Sequence, residues 1–189
     1  MTYPKSQYNP AIHHRRSIRL KGYDYSSPGY YFATFCTQYR YYLFGKIIGG
    51  QMLLNDAGKM VEHQWSILPK RFDNIRIDQY VVMPNHFHAI LQILTPKGKV
   101  LGDMLGAFSS IVTDEYIRGV KAYNWRPFPK KLFQRNYWEH IIRNEEELFR
   151  IRNYIKNNPS KWENDRFIRA SGNRVQENMA PYEEEPWMI

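Results

Sequence analysis

Cysteine is nearly absent: the 189 residues contain one, Cys36. That excludes a disulfide framework within the chain and a cysteine-based zinc site. Cys36 lies in an apolar, strand-like run, which suits a small core residue better than a nucleophile. No apolar run approaches the ~20 residues that span a bilayer. The first residues lack the apolar stretch of a signal peptide. The expectation is a soluble cytoplasmic protein with no membrane partner. Internal repeats are missing too, so a solenoid or propeller is excluded. Acidic residues are scarce beside basic ones, 18 against 27, for a net charge of +9 and a pI of about 9.6. Such a balance favours a polyanionic partner, nucleic acid or an acidic surface. What the chain has in quantity is aromatic: 16%, with fifteen Tyr and five Trp. Rings that stack on bases, beside Lys and Arg that follow phosphates, suit single-stranded nucleic acid. A basic protein with a Tyr-rich core has the same composition.

The patterning divides the chain into a basic arm over residues 1–28, a folded domain over 29–162 and a tail over 163–189. The arm carries His13, His14, Arg15, Arg16, Arg19 and Lys21, a set for phosphates or for solvent. Residues 30–37 alternate and are rich in β-formers, predicting a first strand. Residues 43–50 predict a loop or short hairpin closed by Gly49–Gly50. Helical spacing predicts a helix over 51–68 and another over 101–116. Between them, 75–94 read as two strands joined by a turn near Met83–Pro84–Asn85. A basic, aromatic, proline-broken stretch follows with Arg126, Lys130 and Lys131, then extended segments near 132–133 and 137–142. Asn144 is a plausible N-cap for a last helix, with Glu147 three residues on in a capping-box-like pattern. Pro159 stops that helix near Asn158. Strand–helix–strand–strand–helix–strand is the order of an α+β, ferredoxin-like antiparallel sheet with helices on one face.

The chemistry concentrates in MPNHFHAILQI. Residues two apart on a strand share a face, so His86 and His88 present two imidazoles side by side. Phe87, Ala89, Leu91 and Ile93 take the opposite, apolar face. Two parallel imidazoles are half of a divalent-metal site. In the last helix, Tyr154 and Asn158 are four apart and share a helical face. Asn158 offers a carbonyl oxygen, a hard ligand for Mg²⁺ or Mn²⁺ beside imidazole, and Tyr154 a phenol that could attack phosphorus. Taken singly, each has an ordinary structural reading: core histidines, a packing tyrosine, a helix terminator. Tyr137, in the patch NYWEH, competes as nucleophile, and neighbouring His140 as ligand; the helical spacing of Tyr154 to Asn158 favours Tyr154.

These segments resemble a known family. MPNHFHAILQI looks like the His-hydrophobe-His (HUH) segment of single-tyrosine transposases of the insertion-sequence-200 type. RRSIRLKGYDYSSPGYYFATFCTQYR and FQRNYWEHIIRNEEELFRIRNYIKNNPSKW resemble the REP-associated tyrosine transposases, and the likeness runs from about Arg15 to Trp162. It implies a ferredoxin-like HUH domain, with His86, His88 and Asn158 as ligands of Mg²⁺ or Mn²⁺ and Tyr154 as nucleophile. Many relatives carry Gln at the Asn158 position. The implied substrate is single-stranded DNA folded into hairpins from repetitive extragenic palindromes, cleaved through a 5′-phosphotyrosine and rejoined without a nucleotide cofactor. Arg15, Arg16, Arg19, Lys21, Arg126, Lys130 and Lys131 are the candidate DNA contacts, in a nucleoid-associated protein. The implied state is a monomer, although many insertion-sequence relatives are dimers. Two other readings fit the same residues: a hairpin-DNA-binding protein without chemistry, and a metal-dependent nuclease that uses water.

Overall fold

A computed structural model describes residues 19–96 and 98–164. His13, His14, Arg15, Arg16 and the acidic tail from about residue 170 lie outside the described residues.

The main sheet has four strands: β1 (Gly29–Cys36), β4 (Ile75–Met83), β5 (His86–Ile93) and β6 (Trp138–Ile142). Its order is β4-β5-β1-β6, and every neighbouring pair is antiparallel. With α1 (Asp56–Ser66) between β1 and β4, and α2 (Leu101–Tyr123) between β5 and β6, this is the ferredoxin-like arrangement expected from the element order. Both crossover helices lie on one face. There Tyr31, Ala33 and Phe35 of β1 and Phe87, Ala89, Leu91 and Ile93 of β5 meet Val61 and Trp65 of α1 and Leu105, Phe108 and Val112 of α2. Trp65, Phe87 and Phe108 form the centre of this core, with ring centroids 5.1–5.2 Å apart.

The opposite face carries α3 (Glu145–Asn157). Asn144 caps it as expected, its Oδ1 accepting from Glu147 N at 2.8 Å. Glu145, Glu146 and Glu147 sit at the positive end of the helix dipole. The reciprocal half of the capping box is displaced: the Glu147 carboxylate accepts from Arg143 N and pairs with His140, both at 2.7 Å. Leu148, Ile151 and Ile155 form a stripe that packs on Phe32, Ile90 and Ile142.

Two helix boundaries differ from the sequence expectation. Residues Gln51–Leu54 form strand β3, paired with β2 (Gly45–Ile48), rather than the first turn of a helix. Gly49 and Gly50 both have positive φ, 56° and 74°. That is the two-residue turn that fits the twist of a tight hairpin, and it commits the next four residues to pairing. Helix α1 then starts from an Asn55 cap, whose side chain accepts from Gly58 N at 2.9 Å. Helix α2 runs to Tyr123, seven residues past the expected end. Asn124 takes a left-handed cap conformation, and Trp125 folds back onto Gly119 so closely that a Cβ there would collide with the indole.

Candidate active site

The hairpin turn between β4 and β5 is gripped by residues 37–44. The Pro84 carbonyl accepts from Leu43 N at 2.8 Å and Phe44 N at 3.1 Å, and the Asn85 carbonyl accepts from Thr37 N at 2.9 Å. The Thr37 hydroxyl adds a bond to the same Asn85 oxygen at 3.0 Å. His86, the first residue of β5, therefore starts from a fixed point. The grip requires left-handed backbone at two L-residues in succession, Tyr39 (φ 57°) and Arg40 (φ 54°). Such conformations cost on the order of 1–3 kcal/mol each and persist where the surroundings over-determine them.

His86 and His88 share the α3 face of β5, as the two-residue period requires. Both are buried, and their ring centroids are 4.5 Å apart. Each imidazole is oriented through Nδ1. His86 Nδ1 lies 2.8 Å from Asn85 Oδ1, and His88 Nδ1 lies 2.7 Å from Thr34 Oγ1 on the facing strand β1. Partners of this kind hold metal-ligating imidazoles by the ring nitrogen that does not ligate.

Helix α3 brings Tyr154 to this pair. Its hydroxyl lies 3.2 Å from His88 Nε2, and its ring meets Phe32 edge-on. The helix is pinned by Arg152, which donates to both oxygens of Asp78 at 2.8 and 2.6 Å. Asp78 stands at a β-bulge in β4, where the register with β5 slips between Ile77 and Tyr80. The Arg152 guanidinium holds the Asp78 carboxyl below the usual carboxylate range, with help from the Gln79 N–H against a smaller opposing effect of burial.

Asn158 is the C-cap of α3, one turn past Tyr154. It is buried, and its Oδ1 has no hydrogen-bond partner among the described residues. A buried amide oxygen without a donor is costly and suits a cation. Two oriented imidazoles with one such oxygen fit Mg²⁺ or Mn²⁺, whose remaining positions take water or phosphate. Among the described residues, no group of three or more His, Cys, Asp or Glu is placed to hold a metal, so the amide is the remaining candidate for a third protein ligand.

The two competitors fall elsewhere. Tyr137 packs on Phe35, across the sheet from the histidines, and its hydroxyl accepts from Arg19 at 2.6 Å. His140 is on the α3 face but stacks on Trp138 and pairs with Glu147, bracing the start of α3.

No family model matches the chain. An uncharacterized protein of Haemophilus influenzae strain Rd is 44% identical over 173 residues, spanning 85% of this chain and 96% of that protein. The chain belongs to that protein's family. Among solved structures, a REP-associated tyrosine transposase bound to a REP hairpin superposes with a TM-score of 0.54 at 19% identity, covering 76% of this chain and 73% of that one. The fold is therefore that of a REP-associated tyrosine transposase, in agreement with the resemblance read from the sequence.

The site also holds residues that the sequence alone did not single out. Thr34 and Asn85 hold the imidazoles; the Asn lies in MPNHFH, but the Thr is brought in only by strand register. Trp162 stacks on His86 at 6.0 Å, and Tyr42 meets Trp162 at 5.6 Å, extending an aromatic path from the histidines to the surface. Tyr42 also walls a cavity with Trp125 and Arg126, and the Arg126 guanidinium lies 5.0 Å over the Tyr41 ring. Lys21, Arg126, Lys130 and Lys131 are exposed. Arg19 instead pairs with buried Glu139 at 3.3 Å, tying the described end of the arm to β6. Among the described residues, no helix is long and apolar enough to cross a membrane.

Proposed function

We propose that this protein is a REP-associated, single-tyrosine HUH transposase that cleaves and rejoins single-stranded DNA. One observation carries the reading: the Tyr154 hydroxyl lies 3.2 Å from His88 Nε2, one helical turn before the buried amide oxygen of Asn158. A nucleophile, two imidazoles and an unsatisfied oxygen supplied by two elements far apart in sequence are the parts a phosphodiester transfer needs.

In the proposed reaction the Tyr154 oxygen attacks phosphorus. The Tyr–O–P bond forms as the P–O3′ bond breaks. The phenol gives up its proton, and the departing 3′ oxygen takes one up. The product is a 5′-phosphotyrosine with a free 3′-OH, and the reverse attack rejoins the ends. The covalent bond conserves the energy, so no nucleotide cofactor is needed. His86, His88 and Asn158 would hold a divalent ion, Mg²⁺ or Mn²⁺, which when bound supplies Lewis-acid polarisation of a phosphate oxygen. Thr34 and Asn85 orient the imidazoles, and the Phe32 edge sets the Tyr154 ring. The exposed rings of Tyr41 and Tyr42, with Arg126, Lys130 and Lys131, offer stacking and charge to a strand leaving the centre. The REP hairpin on the solved transposase supports the same substrate class here. Tyr154 and His88 meet within one chain, which favours a monomer acting in cis, in the cytoplasm beside the nucleoid.

The test is a covalent adduct between the full chain and a hairpin oligonucleotide in Mg²⁺ or Mn²⁺, resolved on a denaturing gel. Tyr154→Phe should abolish the adduct while hairpin binding stays near wild type. An undiminished adduct would remove Tyr154 from its role, and free ends with no attached protein would favour hydrolysis by water.

A further inference from the structure

We propose that Asn85 is a positioning residue that places the proton of His86 on Nδ1 and so reserves Nε2 as the ligating nitrogen. The inference rests on the reading of His86 as a ligand, and it concerns what makes that ligand ready.

The argument starts from the amide. An Asn carbonyl oxygen can only accept a hydrogen bond, whereas its NH₂ can only donate. Which end faces His86 is fixed independently of His86, because Asn85 Nδ2 donates to the Arg40 carbonyl at 3.3 Å. A flipped amide would set its oxygen against the Arg40 oxygen. With the orientation fixed, Asn85 Oδ1 faces His86 Nδ1 at 2.8 Å, and that nitrogen must carry the proton. In the neutral ring, Nε2 then holds the lone pair.

The surroundings are built to keep Asn85 in place. It is fully buried, and its carbonyl takes bonds from both the backbone and the side chain of Thr37. The Arg40 carbonyl is delivered by the left-handed pair Tyr39–Arg40, a conformation L-residues avoid. A strained loop and a hairpin turn thus converge on one side chain. At His88 the Thr34 hydroxyl on Nδ1 can give or take a proton, so that bond orients the ring without choosing the nitrogen.

The experiment records two-bond ¹H–¹⁵N spectra of the metal-free full chain at about pH 8, where an ordinary imidazole is neutral. His86 should show protonated Nδ1 and lone-pair Nε2. Asn85→Asp keeps an acceptor oxygen toward Nδ1; its second oxygen faces the Arg40 carbonyl and lowers stability, but the tautomer should be kept, whereas Asn85→Ala should give a mixture, with the His88 pattern unmoved. Titrated with Mn²⁺ alone, Asn85→Ala should bind about 10–100-fold more weakly than wild type, and Asn85→Asp should retain binding. A proton on Nε2 of His86 in the wild type overturns the proposal, as does wild-type Mn²⁺ affinity in a folded Asn85→Ala. If Asn85→Ala does not fold, the wild-type and Asn85→Asp spectra decide. Wild-type protein that binds no Mn²⁺ overturns the metal reading instead, and the spectra still decide the positioning role.

Discussion

Asn158 carries two opposed demands. As a structural residue it is a poor choice, because its buried Oδ1 lacks a donor among the described residues. As a ligand it is well placed, at the end of the helix that delivers Tyr154. Asn158→Ala should therefore change unfolding free energy by no more than about 1 kcal/mol, since the lost oxygen was unsatisfied. The metal-dependent adduct should fall at least 10-fold, in the range seen when a metal site is disturbed. Urea melts and adduct yield, measured on the same preparation, check both halves; a large stability loss with full activity would reverse the assignment. At this scale the sequence was informative wherever a local period fixes the face. His86 and His88 follow from a period of two, and Tyr154 and Asn158 from a spacing of four. Thr34 was not legible, because only the register Thr34↔His88 brings it to the ring.

Among the elements, α3 decides whether the centre exists. It adheres through an apolar stripe, the His140–Glu147 pair at its start and the ion pair Asp78–Arg152. Arg152 depresses the Asp78 pKa, so the pair's contribution is present above the ordinary carboxylate value and lost as pH falls through the depressed one. The side chains are partly exposed, which limits the contribution to about 1 kcal/mol. Arg152→Met should destabilise by that amount at neutral pH, and the difference from wild type should shrink in acid, as pH falls below the ordinary carboxylate value and through the depressed pKa of Asp78. Urea unfolding at neutral and acid pH measures it; a difference that persists in acid would mean Arg152 acts through packing on Tyr30. The missed boundaries also belong to this scale. Met52, Leu53 and Leu54 fit either period, and the Gly49–Gly50 turn decided for the strand. The last turns of α2 looked like a basic loop because their apolar partner, Trp125, lies beyond the helix and folds back.

For the whole molecule, the net charge of +9 sets how the protein meets a polyanion. Each phosphate neutralised on a single strand adds about −0.7 to the slope of log K against log salt. Changing both Lys130 and Lys131 to Ala should make the slope shallower by roughly 1.4 if both contact phosphates, while leaving the adduct chemistry of a saturated complex intact. Fluorescence anisotropy of a labelled hairpin across a salt series gives the slope; an unchanged value would place the strand elsewhere. The fold at this scale was read correctly from element order alone, since strand–helix–strand–strand–helix–strand admits few compact arrangements. The face taken by α3 was not, because an amphipathic helix does not say which side of a sheet it will cover.

The covalent order of these parts has a consequence during synthesis. The histidines leave the ribosome with β5, but the phenol and the amide oxygen follow only after α2, β6 and α3, some 70 residues later along the chain. Both neighbours of β5 in the sheet, β1 and β4, precede it in the chain, so the partners of the strand carrying both imidazoles are made before the helix that covers its open face. On the proposed reading, the growing chain carries no nucleophile beside the two histidines until its last helix closes over the sheet.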